Sequence, residues 1–117
     1  MQFQEEKRGD VLIFKVSHPR LDNSLAPDFK TQMLSLIEKK AEKKILIDLA
    51  SVEYVDSSGL GALLFGLRQA KAKSGLLKLL HTNQKVSNLL RIAKLEKVLE
   101  SFEDEQQAVE SFRVEHV

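Results

Sequence analysis

The segment Asp56-Ser57-Ser58-Gly59 places a hydroxyl between a carboxylate and a glycine, immediately ahead of an apolar run. From there Leu60, Leu63, Leu64 and Leu67 fall at i, i+3, i+4 and i+7, the spacing of one helix face. A serine just before such a run stands where a helix begins. The first turn of a helix carries backbone N–H groups without intrahelical acceptors and a partial positive charge. Two roles fit a serine there. Its oxygen can cap the helix, or its hydroxyl, pointing outward, can carry a phosphate that the N–H groups and dipole favour. In the second role the site holds a removable charge.

Glycine placement draws attention to the same helix. Of five glycines, three (Gly59, Gly61 and Gly66) lie within it. Each costs on the order of 1 kcal/mol relative to alanine in a helix interior. Such a cost implies close packing on a sheet or close approach by a partner. For Gly66 both explanations stand. Gly59 and Gly61, beside the exposed turn, are read as openings for a partner.

Enzyme motifs fail in this region. Gly59-Leu60-Gly61 lacks the third glycine of a dinucleotide loop, because position 64 is Leu64. Gly61 and Gly66 have Walker spacing, but Leu67-Arg68 replaces the Lys-Ser/Thr pair. Val55 stands where a nucleophile elbow around Ser57 needs its first glycine. His18, His81 and His116 show no metal-ligand spacing, and no carboxylate pair stands out as acid and base. His81, following a strand, reads as a solvated loop residue. The expectation is a protein that is not an enzyme and needs no cofactor or metal.

The flanking pattern says what positions the segment. Phe3 to Lys7 reads as a first strand, with a turn at Arg8-Gly9-Asp10 and a hairpin return along Val11 to Val16. His18 to Ala26 carries loop formers, and a helix starts near Pro27 with Phe29, Met33, Leu36 and Ile37 inward. The lysines at 39, 40, 43 and 44 close it, where they suit the helix dipole. Lys44 to Leu49 reads as a strand covered on both faces, and Ser51 to Tyr54 as a connection. The helix after Ser57 runs to about Ser74-Gly75, with the glycine as its stop. Leu76 to Leu80 is a further strand. Asn83 to Ala93 is a third helix with Val86, Leu89, Leu90 and Ala93 on one face. Val98 and Leu99 are assigned to a last short strand, and Asp104 to Phe112 to a closing helix with Ala108, Val109 and Phe112 inward. Alternating strands and helices predict an α/β fold: a mixed, mostly parallel sheet of about five strands with about four helices.

No repeat or linker divides the chain, so residues 1–117 are read as one domain, long enough to bury roughly two-thirds of its extended surface. A net charge of +1 gives no electrostatic pull toward nucleic acid or an anionic membrane. There is no cysteine, which suits a reducing compartment. The N-terminus lacks a signal-type apolar core. The longest apolar stretch, Leu60 to Leu67, is far short of the roughly 20 residues a membrane span needs. These features predict a soluble, cytoplasmic protein.

The run Val55-Asp56-Ser57-Ser58-Gly59-Leu60-Gly61, following the strand Ile45 to Leu49, resembles the central motif of the anti-sigma factor antagonists. These are built on the STAS domain, which is shared with sulfate transporters. Arg20-Leu21-Asp22 followed by Ala26-Pro27 is similar to the family's loop before the first helix. Asn83 to Leu95 and Phe102 to Ala108 resemble its C-terminal portion. Two departures occur: Pro19 and Arg20 replace a frequent glycine and its neighbour, and Lys94 stands where many members have glycine before Leu95.

The resemblance implies partner switching, with Ser57 the phosphorylated residue and the partner an anti-sigma factor that is itself a serine kinase. The unmodified form binds that kinase and frees the sigma factor, and a serine phosphatase resets the switch. ATP belongs to the kinase. Asp22, Asp56, Ser58, Gly59 and Gly61 make up the implied partner-binding surface, with Ser58 structural rather than modified. A phosphate adds about −1.5 to −2 charges. Like charges about 5 Å apart repel by roughly 1 to 3 kcal/mol near a surface, enough to weaken docking about tenfold. Two other functions compete: a constitutive STAS scaffold or interaction subunit of a signalling or transport assembly, and a small ligand-binding domain.

Overall fold

The computed structural model describes residues 2–114, so His116 lies outside the described residues. Strands β1 (Phe3–Arg8) and β2 (Val11–Val16) form the antiparallel hairpin, paired from Phe3↔Val16 to Arg8↔Val11. Its turn passes through Gly9 at φ +62°, a left-handed conformation that glycine adopts at no steric cost. Two further short strands, β3 (Arg20–Leu21) and β5 (Tyr54–Val55), pair in parallel as a separate two-stranded ribbon. From sequence both segments read as connections, because two residues are too few to show a period.

The main sheet runs β1-β2-β4-β6-β7, with β4 at Lys44–Asp48, β6 at Leu76–Leu80 and β7 at Ser101–Phe102. Every pairing beyond the hairpin is parallel. Among the described residues four α-helices accompany the sheet: α1 (Ala26–Leu34), α2 (Ser57–Ala72), α3 (Gln84–Ile92) and α4 (Glu105–Val114). The expected mixed, mostly parallel α/β fold is therefore present. Among the described residues no helix is long and apolar enough to cross a membrane.

Strand alternation divides the core. Leu12, Phe14, Val16, Ile45, Ile47, Leu77 and Leu79 join Phe29, Met33, Ala62, Leu63 and Leu67 of α1 and α2. Val11, Ile13, Leu46 and Leu80 meet Ala108 and Phe112 of α4 on the other side. Every residue of β4 is buried, which explains its unbroken apolar run. Phe14 lies 5.1 Å from Phe3 and 5.8 Å from Phe29 between ring centroids, which pins the hairpin to α1.

The helix ends depart from expectation. After Leu34 the chain widens into a π-helical turn, Ser35–Lys39, that buries both Leu36 and Ile37. Only Lys39 of the lysine run lies in that last turn. Lys44 is instead a buried strand residue paired with Asp10 at 2.7 Å, and Lys40 faces Glu5 at 3.8 Å. At the end of α2 the left-handed residue is Ser74 (φ +62°), not Gly75. Its N–H donates to the Lys71 carbonyl at 3.0 Å, and Gly75 N–H to the Ala70 carbonyl at 2.7 Å. Gly75 is required because a Cβ there would sit 2.8 Å from the Lys43 carbonyl oxygen.

The same closure ends α3, with Lys94 N–H on the Arg91 carbonyl at 3.0 Å and Leu95 N–H on the Leu90 carbonyl at 2.8 Å. Lys94 holds φ +60°, which gives a physical reason for glycine at that position. Ala93 caps this helix and is exposed, rather than lying on its apolar face. Val98 is 45% exposed and outside any strand, while Leu99 is buried; the last strand begins two residues later. The apolar pair suggests a strand from sequence, but the chain curls there to bury Leu99 alone.

Replacing Lys94 by glycine should relieve a left-handed strain of about 1–2 kcal/mol, partly offset by the greater unfolded freedom of glycine. Lys94→Gly is expected to gain about 0.5–1 kcal/mol in urea denaturation, seen as a higher midpoint at unchanged slope.

Candidate functional site

The start of α2 is assembled from two segments far apart in sequence. Asp56 has an extended backbone (φ −96°, ψ −173°) and is the N-cap residue. One carboxylate oxygen accepts from Gly59 N–H at 2.8 Å, and the other from Asn23 N–H at 3.2 Å. Its own N–H reaches the Leu21 carbonyl at 3.4 Å, continuing the β3–β5 ribbon. The cap is therefore Asp56 and not Ser57. Ser57 is the first helical residue, exposed, and its hydroxyl has no hydrogen-bond partner among the described residues. Ser58 follows, also exposed.

The loop after β3 is ordered by Asp22. Its carboxylate accepts from the Ser24 hydroxyl at 2.7 Å, the Ser24 N–H at 3.0 Å and Arg20 Nε at 3.1 Å. The Ser24 hydroxyl first, then Arg20, hold this carboxyl down to about 2. Asp22 also lends its carbonyl to the N–H groups of Leu25 and Ala26, which starts α1 without a side-chain cap. The Arg20 guanidinium lies 4.5 Å from the Tyr54 ring centroid, joining the ribbon's two strands through their side chains. The structure thus brings Asp22's loop to the Asp56–Gly61 turn. Both carboxylates there are engaged in holding that arrangement.

The glycines have separate jobs. Gly59 is buried, and a Cβ there would come within 2.0 Å of the Leu21 carbonyl oxygen. Its reason is close backbone packing rather than the partner access expected from sequence. Gly61 is exposed, and a Cβ added there would meet nothing within 4 Å, so a partner can approach it. Gly66 is packed: a Cβ would meet Leu77 at 3.1 Å and Met33 at 3.2 Å.

Sequence reasoning missed two contributors. Asn23 acts through its backbone, which leaves no residue-type signal. Lys30 of α1 lines a shallow depression together with Ala26, Pro27, Ser57, Ser58 and Gly61. No local signal marks it, because the contact exists only once α1 lies against α2. Elsewhere His81 is a loop residue with its side chain 38% exposed, and it is also engaged with a neighbour. It sits at φ +61° with Nδ1 3.1 Å from the Asp48 carboxylate.

The STAS domain family model matches residues 2–108. The chain belongs to the STAS domain family. An anti-sigma F factor antagonist of Paenibacillus polymyxa is 27% identical over 114 residues, 97% of either chain. The crystal structure of tm1081 from Thermotoga maritima has a TM-score of 0.88 at 26% identity, covering 95% of this chain and 94% of that one. SpoIIAA in its unphosphorylated form shares the fold, with a TM-score of 0.72 at 18% identity over 98% of this chain and 99% of its own. SpoIIAA of Bacillus in the phosphorylated form superposes equally, at 0.72 and 20% identity over 93% and 97%.

Within this STAS domain, Gly59 and Gly61 should respond oppositely to alanine. Gly59→Ala must displace backbone and is expected to cost about 2–3 kcal/mol. Gly61→Ala is expected to gain up to about 1 kcal/mol from helix propensity. Thermal or urea unfolding of the two variants checks the contrast. Asp22 supplies a pH test. Because its folded pKa is depressed, its contribution is complete above the ordinary value near 4 and is lost as pH falls toward about 2. An NMR titration should place the Asp22 midpoint near 2, and Ser24→Ala should raise it.

Proposed function

We propose that this STAS domain is an anti-sigma factor antagonist that works by partner switching, with Ser57 as the phosphorylated residue. The single observation that supports the reading is the division of labour at the start of α2. Asp56 takes the capping role, so the Ser57 hydroxyl stands exposed and unengaged at the positive end of a helix. A kinase can reach such a hydroxyl without unfolding its support. A phosphate formed there adds charge beside N–H groups that have no intrahelical acceptor.

The partner in this reading is an anti-sigma factor with serine kinase activity, which supplies the ATP. A serine phosphatase reverses the modification, and all three act in the cytoplasm. The antagonist itself is a binding module and not an enzyme. The name of the Paenibacillus polymyxa relative and the existence of SpoIIAA in phosphorylated and unphosphorylated forms support the assignment. Asp22 contributes by ordering the neighbouring loop, and Gly61 by leaving the surface beside Ser57 low. Blockade is local: a double negative charge in the contact surface opposes docking by roughly the energy of a tenfold or larger loss in affinity.

The test uses the anti-sigma serine kinase of the same organism with ATP, read by intact-mass spectrometry and by titration calorimetry. One phosphate should be incorporated, none into Ser57→Ala, and Ser57→Asp should bind the kinase at least tenfold more weakly. Unchanged incorporation into Ser57→Ala, or a complex indifferent to both Ser57→Asp and phosphatase treatment, overturns the proposal. The second outcome is the behaviour of a constitutive scaffold.

A further inference from the structure

The seam between α1 and α2 pairs two matching sets of residues. Ala26, Pro27 and Lys30 of α1 and Ser57, Ser58 and Gly61 of α2, each at i, i+1 and i+4, line one shallow depression. Gly61 leaves its floor open. We propose that Lys30 is the internal counter-ion of a phosphate on Ser57, closing a salt bridge across this seam; the proposal rests on Ser57 being the modified residue.

Lys30 is exposed, and its ammonium lies 5.8 Å from the Phe65 ring centroid. Phe65 follows Gly61 by four residues and Ser57 by eight, so the three share one stripe of α2. The ammonium therefore stands beside the Phe65–Gly61 stripe of α2, and Lys30 borders the depression that Ser57 also lines. Among the described residues Lys30 has no carboxylate partner, unlike Arg20 on Asp22 or Lys7 on Glu42.

The other charged groups facing the seam are engaged or turned away. Asp22 is held by Ser24 and Arg20, and Asp56 by the N–H groups of Gly59 and Asn23. Asp28 of α1 lines a different depression, with Gln2 and Thr31. Among the described residues that line this depression, Lys30 is the one that carries a charge. A charge-assisted hydrogen bond to phosphate outcompetes an exposed contact with a ring. Modification then changes the surface twice, by adding the phosphate and by drawing an exposed ammonium onto it.

Phosphoserine can be installed at position 57 during translation, and the second ionisation followed by phosphorus NMR in the otherwise unaltered protein, in Lys30→Gln and in Lys30→Arg. A nearby cation favours the dianion and lowers its pKa; Asp22 and Asp56 act in the opposite sense in all three proteins. The midpoint should rise by about half a unit or more in Lys30→Gln, a threefold or greater gain in proton affinity, and be restored in Lys30→Arg. Equal midpoints in the parent and Lys30→Gln overturn the proposal. Because no kinase is used, that failure is distinct from failure of Ser57 as a kinase target, which the incorporation experiment reads alone.

Discussion

The carboxylate of Asp56 grips two backbone N–H groups at once, Gly59 in its own helix and Asn23 in a loop 33 residues earlier. This fork sets the entry angle of α2 and its distance from the ribbon formed by β3 and β5. A carboxylate is well suited to the task, since each oxygen can accept separately and the charge is favoured at a helix N-terminus. The consequence for Ser57 is indirect. With the capping role filled by its neighbour, the serine hydroxyl has no structural duty and is free for chemistry.

The fork works only because the two segments come very close. Gly59 lies against the Leu21 carbonyl, closer than any side chain would permit. The ribbon pairing of Leu21 with Val55 brings the same two stretches into parallel register just before the helix begins. Behind it, Gly66 lets α2 settle on Met33 of α1 and Leu77 of β6. One helix thus carries two tightly packed glycines on its buried side, one against backbone and one against side chains, and an open glycine on its exposed side. A charge change on that exposed side leaves the buried packing untouched, so a switch located there can act by local repulsion rather than by refolding.

The neighbouring loop is stiff for a comparable reason. Asp22 spends its carboxylate on Ser24 and Arg20 and its carbonyl on the first turn of α1. Arg20 in turn lies over Tyr54, so the loop, the ribbon and the start of both helices form one connected surface. A partner meeting such a surface loses little loop entropy on docking, and a single added charge is presented at a fixed place.

Much of this is legible in the order of residues. The period of Leu60 to Leu67, the dense run of β4 and the hairpin around Gly9 report burial directly, because the pleat and the helical turn impose spacings that composition must obey. The motif at 56–59 likewise marks a helix start with a serine in it. Three things are not legible. The choice of Asp56 over Ser57 as cap depends on which residue the ribbon holds extended. Gly59 and Gly61 look alike in sequence, and only the position of the Leu21 carbonyl separates a packing glycine from an open one. Lys30 joins the site because α1 crosses α2 at that level, a long-range contact with no local signature. The sequence by itself determined the longer strands and helices and the serine at a helix tip, since these follow from near-neighbour chemistry. Which groups surround that serine was decided by tertiary packing, because the residues that meet there lie more than twenty positions apart.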